Sequence, residues 1–303
     1  MSVALVFPGQ GSQEPGMATP WVDAGAGDRW REAGEVLGAD VLRLGTDASA
    51  EELRRPANCQ VALFVHHVVL LKAWRTAGGA DPVAVAGHSL GEYDALVAAG
   101  VLDFPPALRL VDARARHTEA AAKARPGTMF ACLGFPDGEV EAVCDEVDGA
   151  TVANDNAPGQ IVIAGAVEAL ATVRDRLLGD GEGDAAARGR VKGLAVGAAY
   201  HSPHMEPAVA PLGAALDATA FRAADVPVVA NVDARPHTAA GEWPDLLRRQ
   251  VTAPVRWRET VGTLRELGVE EVVELGASPV LTGLVKRTDR TLRRRTVSVP
   301  EDL

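Results

Sequence analysis

PVAVAGHSLGEYDALVAAG, residues 82–100, decides the fold. After Pro82, the run Val83-Ala84-Val85-Ala86 reads as a short buried strand. Gly87-His88-Ser89-Leu90-Gly91 follows. Residues 92–99 then read as a helix closed by Gly100, a residue suited to a left-handed C-cap. A serine between two glycines at a strand-to-helix turn is the pattern of a nucleophile elbow. Such a turn has no room for side chains at its flanks, so Gly87 and Gly91 relieve the crowding. The helix N-terminus aims its N–H groups and the positive end of its dipole at the Ser89 oxygen, where negative charge develops during attack. The bland alternative is a tight turn holding an incidental serine, and the strand–turn–helix context speaks against it.

Working outward, residues 3–7 form an apolar run stopped by Pro8-Gly9 and read as a buried strand entering a tight loop. Residues 58–74 are apolar without Gly or Pro and read as a buried helix, and residues 103–124 as a further helix. A change of texture begins near Arg125-Pro126-Gly127. From there the spacing predicts a strand over 128–133, a helix over 138–147, strands over 151–153 and 160–163, a helix over 167–178, and a strand over 191–196. Residues 179–189 read as an exposed loop. The order β-α-β-β-α-β is the ferredoxin-like signature. It sets a small inserted subdomain at 125–196 inside a large domain made of 1–124 and 197–303. In the remainder, residues 226–231 and 271–275 are strand-like and 261–267 helical. The fold class expected is α/β: an α/β-hydrolase-like large domain with a parallel sheet and nucleophile elbow, plus the small ferredoxin-like subdomain.

Length and composition agree. A chain of 303 residues with 47% hydrophobic and 23% charged residues can bury a sizeable core. Thirty basic against 41 acidic residues, a net charge of −11, argue against a general nucleic-acid binder. No apolar run reaches the length of a membrane span, and no basic segment precedes an apolar core as in a secretory signal. Cys59, Cys132 and Cys144 are odd in number and lack C-x-x-C spacing, so reduced thiols in a cytoplasm fit best.

A serine nucleophile needs a base. His66 and His67 lie in the apolar helix and read as packing residues. His88 adjoins the nucleophile but is directed away along the turn. His201 and His204 make an H-x-x-H pair without a well-placed third ligand, so no metal is expected. His201, just after a strand, and His237, late in the chain, both remain candidates on spacing alone.

Several ordered motifs make the chain resemble the malonyl-CoA:acyl-carrier-protein transacylases of fatty-acid synthesis and the related discrete acyltransferases of polyketide pathways. They are FPGQGSQ at 7–13, GHSLGEY at 87–93, Asn154-Asp155-Asn156, PGQIVIAG at 158–165, YHSPHM at 200–205, NVDAR at 231–235, QVTAPVRW at 250–257 and GASPVLTG at 276–283. The resemblance runs nearly end to end.

The resemblance implies roles residue by residue. Ser89 takes the acyl group and His201 is the base. The backbone carbonyl of Gln250 orients the histidine in place of a triad carboxylate. Backbone N–H groups of Gln10 and Leu90 form the oxyanion hole, with Gly9 and Gly11 allowing close approach of the backbone. Arg114 holds the free malonyl carboxylate, a task for a planar fork. Arg109 and Arg116, its neighbours, read as a solvated face. His88, Tyr200 and Asn156 join the substrate pocket. Tyr200 stands where malonyl-selective members usually carry Phe, which leaves room for a substituted malonyl unit.

The implied reaction is ping-pong transfer from malonyl-CoA to the phosphopantetheine thiol of an acyl carrier protein. CoA is a substrate, no cofactor is implied, and a monomer is expected. Carrier proteins are usually acidic, so docking calls for a local basic patch. Lys286, Arg287, Arg188, Arg190 and Lys192 are candidates, with Arg290 and Arg293–Arg295 behind them. Two other readings stand beside transfer by the same scaffold: an editing hydrolase of acylated carrier protein, and a non-catalytic carrier-binding subunit.

Overall fold

The computed structural model describes residues 2–179 and 189–303. In chain order its strands are β1 (Val3–Phe7), β2 (Pro82–Gly87), β3 (Thr128–Leu133), β4 (Ala150–Ala157), β5 (Gln160–Gly165), β6 (Arg190–Gly193), β7 (Val228–Val229), β8 (Pro236–His237), β9 (Val255–Arg256), β10 (Glu271–Leu275) and β11 (Arg293–Val297). They form two sheets.

The large sheet has the order β11-β10-β1-β2-β7-β8. All its pairings are parallel except β7 with β8. Both faces are covered, which is why β1 is apolar throughout rather than alternating. Val3, Leu5 and Phe7 face one core, shared with the long helices Pro56–Thr76 and Phe104–Ala124. Ala4 and Val6 face the other, built with the helices Trp257–Glu266 and Leu281–Thr288. The helix at 56–76 starts on Pro56, whose missing N–H costs nothing in a first turn.

The small sheet has the order β6-β3-β5-β4-β9. Residues 125–196 supply four of its strands, in the sequence order β-α-β-β-α-β with helices Glu139–Asp145 and Val167–Leu178. The fifth, β9, comes from 255–256 and pairs parallel with β4. Strand alternation separates two faces. Cys132, Ile161 and Ile163 pack on the two helices, while Met129, Ala131, Val162 and Ala164 face the large domain.

Several predicted boundaries move. The strand expected over 226–231 pairs only at Val228–Val229. Pro227 has no N–H to give, and the chain turns back at once, with the Ala230 N–H donating to Arg235 O. The strand expected over 191–196 runs Arg190–Gly193; a local turn from the Val196 N–H to Leu194 O ends the ladder. The strand expected over 151–153 continues to Ala157, with two register irregularities that carry Asn154 and Asn156 along it. Most of the loop expected over 179–189, and with it Arg188, lies outside the described residues.

Candidate active site

The loops that follow β1 and β2 meet at the carboxyl ends of the strands, where ligands settle in open parallel sheets. Between them and the small sheet lies a cleft of about 330 Å³. Gly9, Gln10, Gly11, His88, Ser89, Asn156, Tyr200 and His201 all border it.

Ser89 sits on a sharp turn with φ 54°, in the left-handed region that a non-glycine residue enters only when its surroundings impose it. A Cβ on Gly87 would overlap the Gly91 backbone, and one on Gly91 would overlap Phe7 O. The two glycines therefore let the elbow fold against the end of β1. Side chains from distant segments brace the turn. Asn231 Oδ1 accepts the Ser89 N–H at 2.7 Å, and Asn231 Nδ2 donates to Gly87 O at 2.6 Å. Gln250 Nε2 donates to Ser89 O at 2.8 Å.

Ser89 Oγ lies 2.7 Å from His201 Nε2. His201 Nδ1 donates to Gln250 O at 2.9 Å, which leaves Nε2 free to accept the serine proton. His201 is buried and also has a positive φ, 56°. Burial, then the Arg114 charge, hold its pKa down at about 3, so the ring is neutral at neutral pH. His237, the other candidate, lies elsewhere, with Nε2 3.1 Å from Asp233 Oδ2 and Nδ1 3.0 Å from Glu242 Oε1. His66 and His67 are wholly buried in the helix core, and His67 Nδ1 is 3.1 Å from Asp94 Oδ2. No cluster of His, Cys, Asp and Glu suited to a metal occurs among the described residues.

The N–H groups of Gln10 and Leu90 carry no hydrogen bond among the described residues. Leu90 caps the helix Gly91–Ala98, so its N–H is one of the orphan donors of a helix start. Gln10 follows Gly9 in the loop after β1. Tyr200 borders the same cleft, and burial raises the pKa of its hydroxyl.

Arg114 is 3% exposed. Nη1 donates to Gln60 Oε1 at 2.5 Å, and Nη2 to Ser89 Oγ at 2.9 Å and Gln250 Oε1 at 3.2 Å. Nε is buried without a partner. Among the described residues no carboxylate pairs with this guanidinium. Arg116, by contrast, is 67% exposed at the side chain and pairs with Asp112.

Opposite Ser89, Met129, Ala131 and Val162 form an apolar wall. Asn156 Oδ1 bonds His88 Nε2 at 2.8 Å, so the His88 ring is committed to Asn156 rather than to Ser89, and both residues border the cleft. Cations stand at the rim. Lys192 lies directly across from Ala131 and Arg190 from Leu133, on the cleft side of the sheet. Arg287 Nη1 donates to Gln160 Oε1 at 2.9 Å, and Gln160 lines the cleft. Lys286 is exposed on the same helix. Arg293 starts β11 at the far end of the parallel sheet, and Arg295 lies over the Trp74 ring, so these two do not join the rim.

Glu92, Asn231 and Gln60 were given no role on sequence. A weak signal existed: Glu92, Tyr93 and Asp94 follow one another on a helix that is buried all round, so they cannot all reach water.

Residues 4–300 match the acyl transferase domain family. The malonyl CoA-acyl carrier protein transacylase of Escherichia coli K12 is 39% identical, over 98% of this chain and 96% of its own. The Bacillus subtilis protein of the same name is 37% identical over 99% and 95%. Two solved structures are similar throughout. An acyl-carrier-protein S-malonyltransferase from Burkholderia pseudomallei gives a TM-score of 0.93 at 39% identity, covering 100% of this chain and 98% of that one. A malonyl-transacylase in complex with its type II polyketide synthase acyl-carrier protein gives 0.92 at 37%, covering 100% and 97%.

Proposed function

The chain belongs to the acyl transferase family, and on that premise we propose its function: it moves a malonyl group from malonyl-CoA to the phosphopantetheine thiol of an acyl carrier protein. The observation that carries the malonyl reading is Arg114, a buried guanidinium beside the Ser89 oxygen that, among the described residues, hydrogen-bonds to no carboxylate directly. A substrate that brings a carboxylate completes that site by a charge-assisted, two-pronged contact.

The chemistry follows from the contacts. His201 Nε2 takes the proton of Ser89 as Oγ attacks the thioester carbonyl. The tetrahedral oxyanion rests on the Gln10 and Leu90 N–H groups, which are free to receive it. His201 returns the proton to the CoA sulfur as the C–S bond breaks. The carrier thiol then enters, gives its proton to His201 and attacks the malonyl ester; the ester C–O bond breaks, and His201 hands the proton to the leaving Ser89 Oγ. Gln250 O keeps the histidine in one tautomer through both halves. CoA enters and leaves as substrate, and the cycle uses no cofactor.

A hydrolase of neutral acyl groups has no use for a buried Arg114, so the geometry favours transfer of a carboxylated unit. Arg190, Lys192, Lys286 and Arg287 at the rim form the docking patch for an acidic carrier protein. The proposed working unit is a monomer. Three buried, unpaired cysteines suit a reducing cytoplasm, and no helix is long and apolar enough to cross a membrane among the described residues.

Arg114→Ala tests the reading. Malonyl loading, measured as kcat/KM, is expected to fall about 10- to 100-fold, the loss of a charge-assisted pair, while acetyl-CoA gains in relative terms. Full malonyl transfer with no new preference for uncharged acyl groups contradicts the clamp.

A further inference from the structure

Arg114 is buried, yet its hydrogen-bond acceptors are all neutral: Gln60, Ser89 and Gln250. A desolvated cation without an anion is costly. Its balance lies one side chain away. Gln250 Oε1 accepts from Arg114 Nη2, and Nε2 of the same amide donates to Glu92 Oε2 at 2.5 Å. Glu92 Oε1 accepts the Asn231 N–H at 2.8 Å. Glu92 is 1% exposed. Both its partners are donors, an arrangement made for an ionised carboxylate, which only accepts.

We propose that Glu92 is the resident counter-ion of Arg114, a positioning residue that acts through the Gln250 amide and competes with the substrate carboxylate for the Arg114 charge. The proposal rests on the malonyl reading of the site and deepens it.

With a malonyl carboxylate on Arg114, the closed site holds two carboxylates against one guanidinium. Proton uptake by Glu92 removes the excess charge, at the cost of weakening one of its two donor contacts. The groups facing Glu92 are Arg114 from the helix Phe104–Ala124, the Gln250 amide, the Asn231 N–H, Asp233 in the loop after β7, and Tyr93 on its own helix. Burial, the largest influence, pushes Glu92 up to about 7; the Asn231, Gln250 and Arg114 contacts oppose it, and Asp233 adds to it. His201, held at about 3, does not titrate in this range. The sign is therefore fixed. Neutral Glu92 leaves Arg114 to the substrate, so malonyl affinity is highest below the Glu92 pKa and falls as pH rises through it. An acetyl group, with no carboxylate, lacks this dependence.

The test is the binding of malonyl-CoA and acetyl-CoA to the Ser89→Ala protein by calorimetry, from pH 6 to 8.5. The two ligands share the ionisations of CoA, so their ratio isolates the acyl group. The expected result is a ratio that falls about tenfold across the range, the equivalent of one pKa unit of coupling. Adding Glu92→Gln is expected to flatten it. A brace without charge coupling would weaken both ligands together and leave the slope in place. A ratio independent of pH in Ser89→Ala, or an unchanged slope with Glu92→Gln, overturns the proposal. Should Glu92→Gln fail to fold, proton uptake on malonyl-CoA binding, read in two buffers of different ionisation enthalpy, decides it: none means no counter-ion role. A failure to prefer malonyl-CoA at any pH would instead sink the malonyl reading.

Discussion

The two walls of the cleft are built differently. The Ser89 wall is a buried polar lattice in which the reacting residues are held at both ends: Ser89 by Asn231 and Gln250, His201 by Gln250 O, Arg114 by Gln60 and Gln250. Facing it, the small sheet presents short apolar side chains, Met129, Ala131 and Val162, and then cations at the rim. The lattice is not wholly paired, since Arg114 Nε lacks a partner, but its buried hydrogen bonds still restrain the geometry, because each contact displaced there is lost away from water. An apolar wall with a charged edge fixes little beyond the size and sign of what enters. On the proposed function, the first wall carries the acyl chemistry, and the second is where the arm and the partner would be selected.

Breaking the first wall has the largest expected effects. Removing the base with His201→Ala is expected to slow malonyl loading by about 10³-fold, within the range of a lost general base, as read by rapid quench. A smaller loss, under tenfold, would move the base elsewhere. Gly91→Ala forces a Cβ into Phe7 O. It is expected to cost about 3 kcal/mol, read from the denaturation midpoint at constant m-value; a neutral result would mean that the elbow is not pressed against β1.

At the second wall, changes should act on partner affinity rather than on turnover. Lys192→Glu with Arg287→Glu is expected to raise KM for the carrier protein about tenfold at low salt, with the effect fading as salt rises. KM for malonyl-CoA should stay put, and an unchanged carrier KM retires the patch. The smallest effect is expected at His237, whose contacts are to Asp233 and Glu242. His237→Ala should alter kcat less than about twofold, since its side-chain partners, Asp233 and Glu242, are not Ser89 or Gln250. A large loss would reopen the choice of base.

The same contrast explains what could be read from the sequence. The elbow was legible because its requirements are local: two glycines, a serine, a strand before and a helix after. The apolar runs of β1 and of the helix at 56–76 were legible for the same reason. The bracing contacts were not. Glu92 meets Asn231 and Gln250 across sequence separations of 139 and 158, and nothing in the spacing of polar residues records such a meeting. Spacing also left His201 and His237 level; the family motif pointed to His201, and the packing of the loop after β6 against Gln250 places it on Ser89. Two-residue strands such as β7, β8 and β9 are too short for a period to show. The polar strand end at Asn154 and Asn156 goes against β propensity, and it makes sense only with His88 across the cleft.

The central claim is that Ser89 carries a malonyl group between CoA and a carrier protein. Its most direct test is intact-protein mass spectrometry after mixing the protein with malonyl-CoA and then with a holo carrier protein. The expected result is a malonyl adduct that is absent in Ser89→Ala and that moves to the carrier. An adduct that persists in Ser89→Ala, or one released as free malonate while the carrier stays unloaded, would contradict the account.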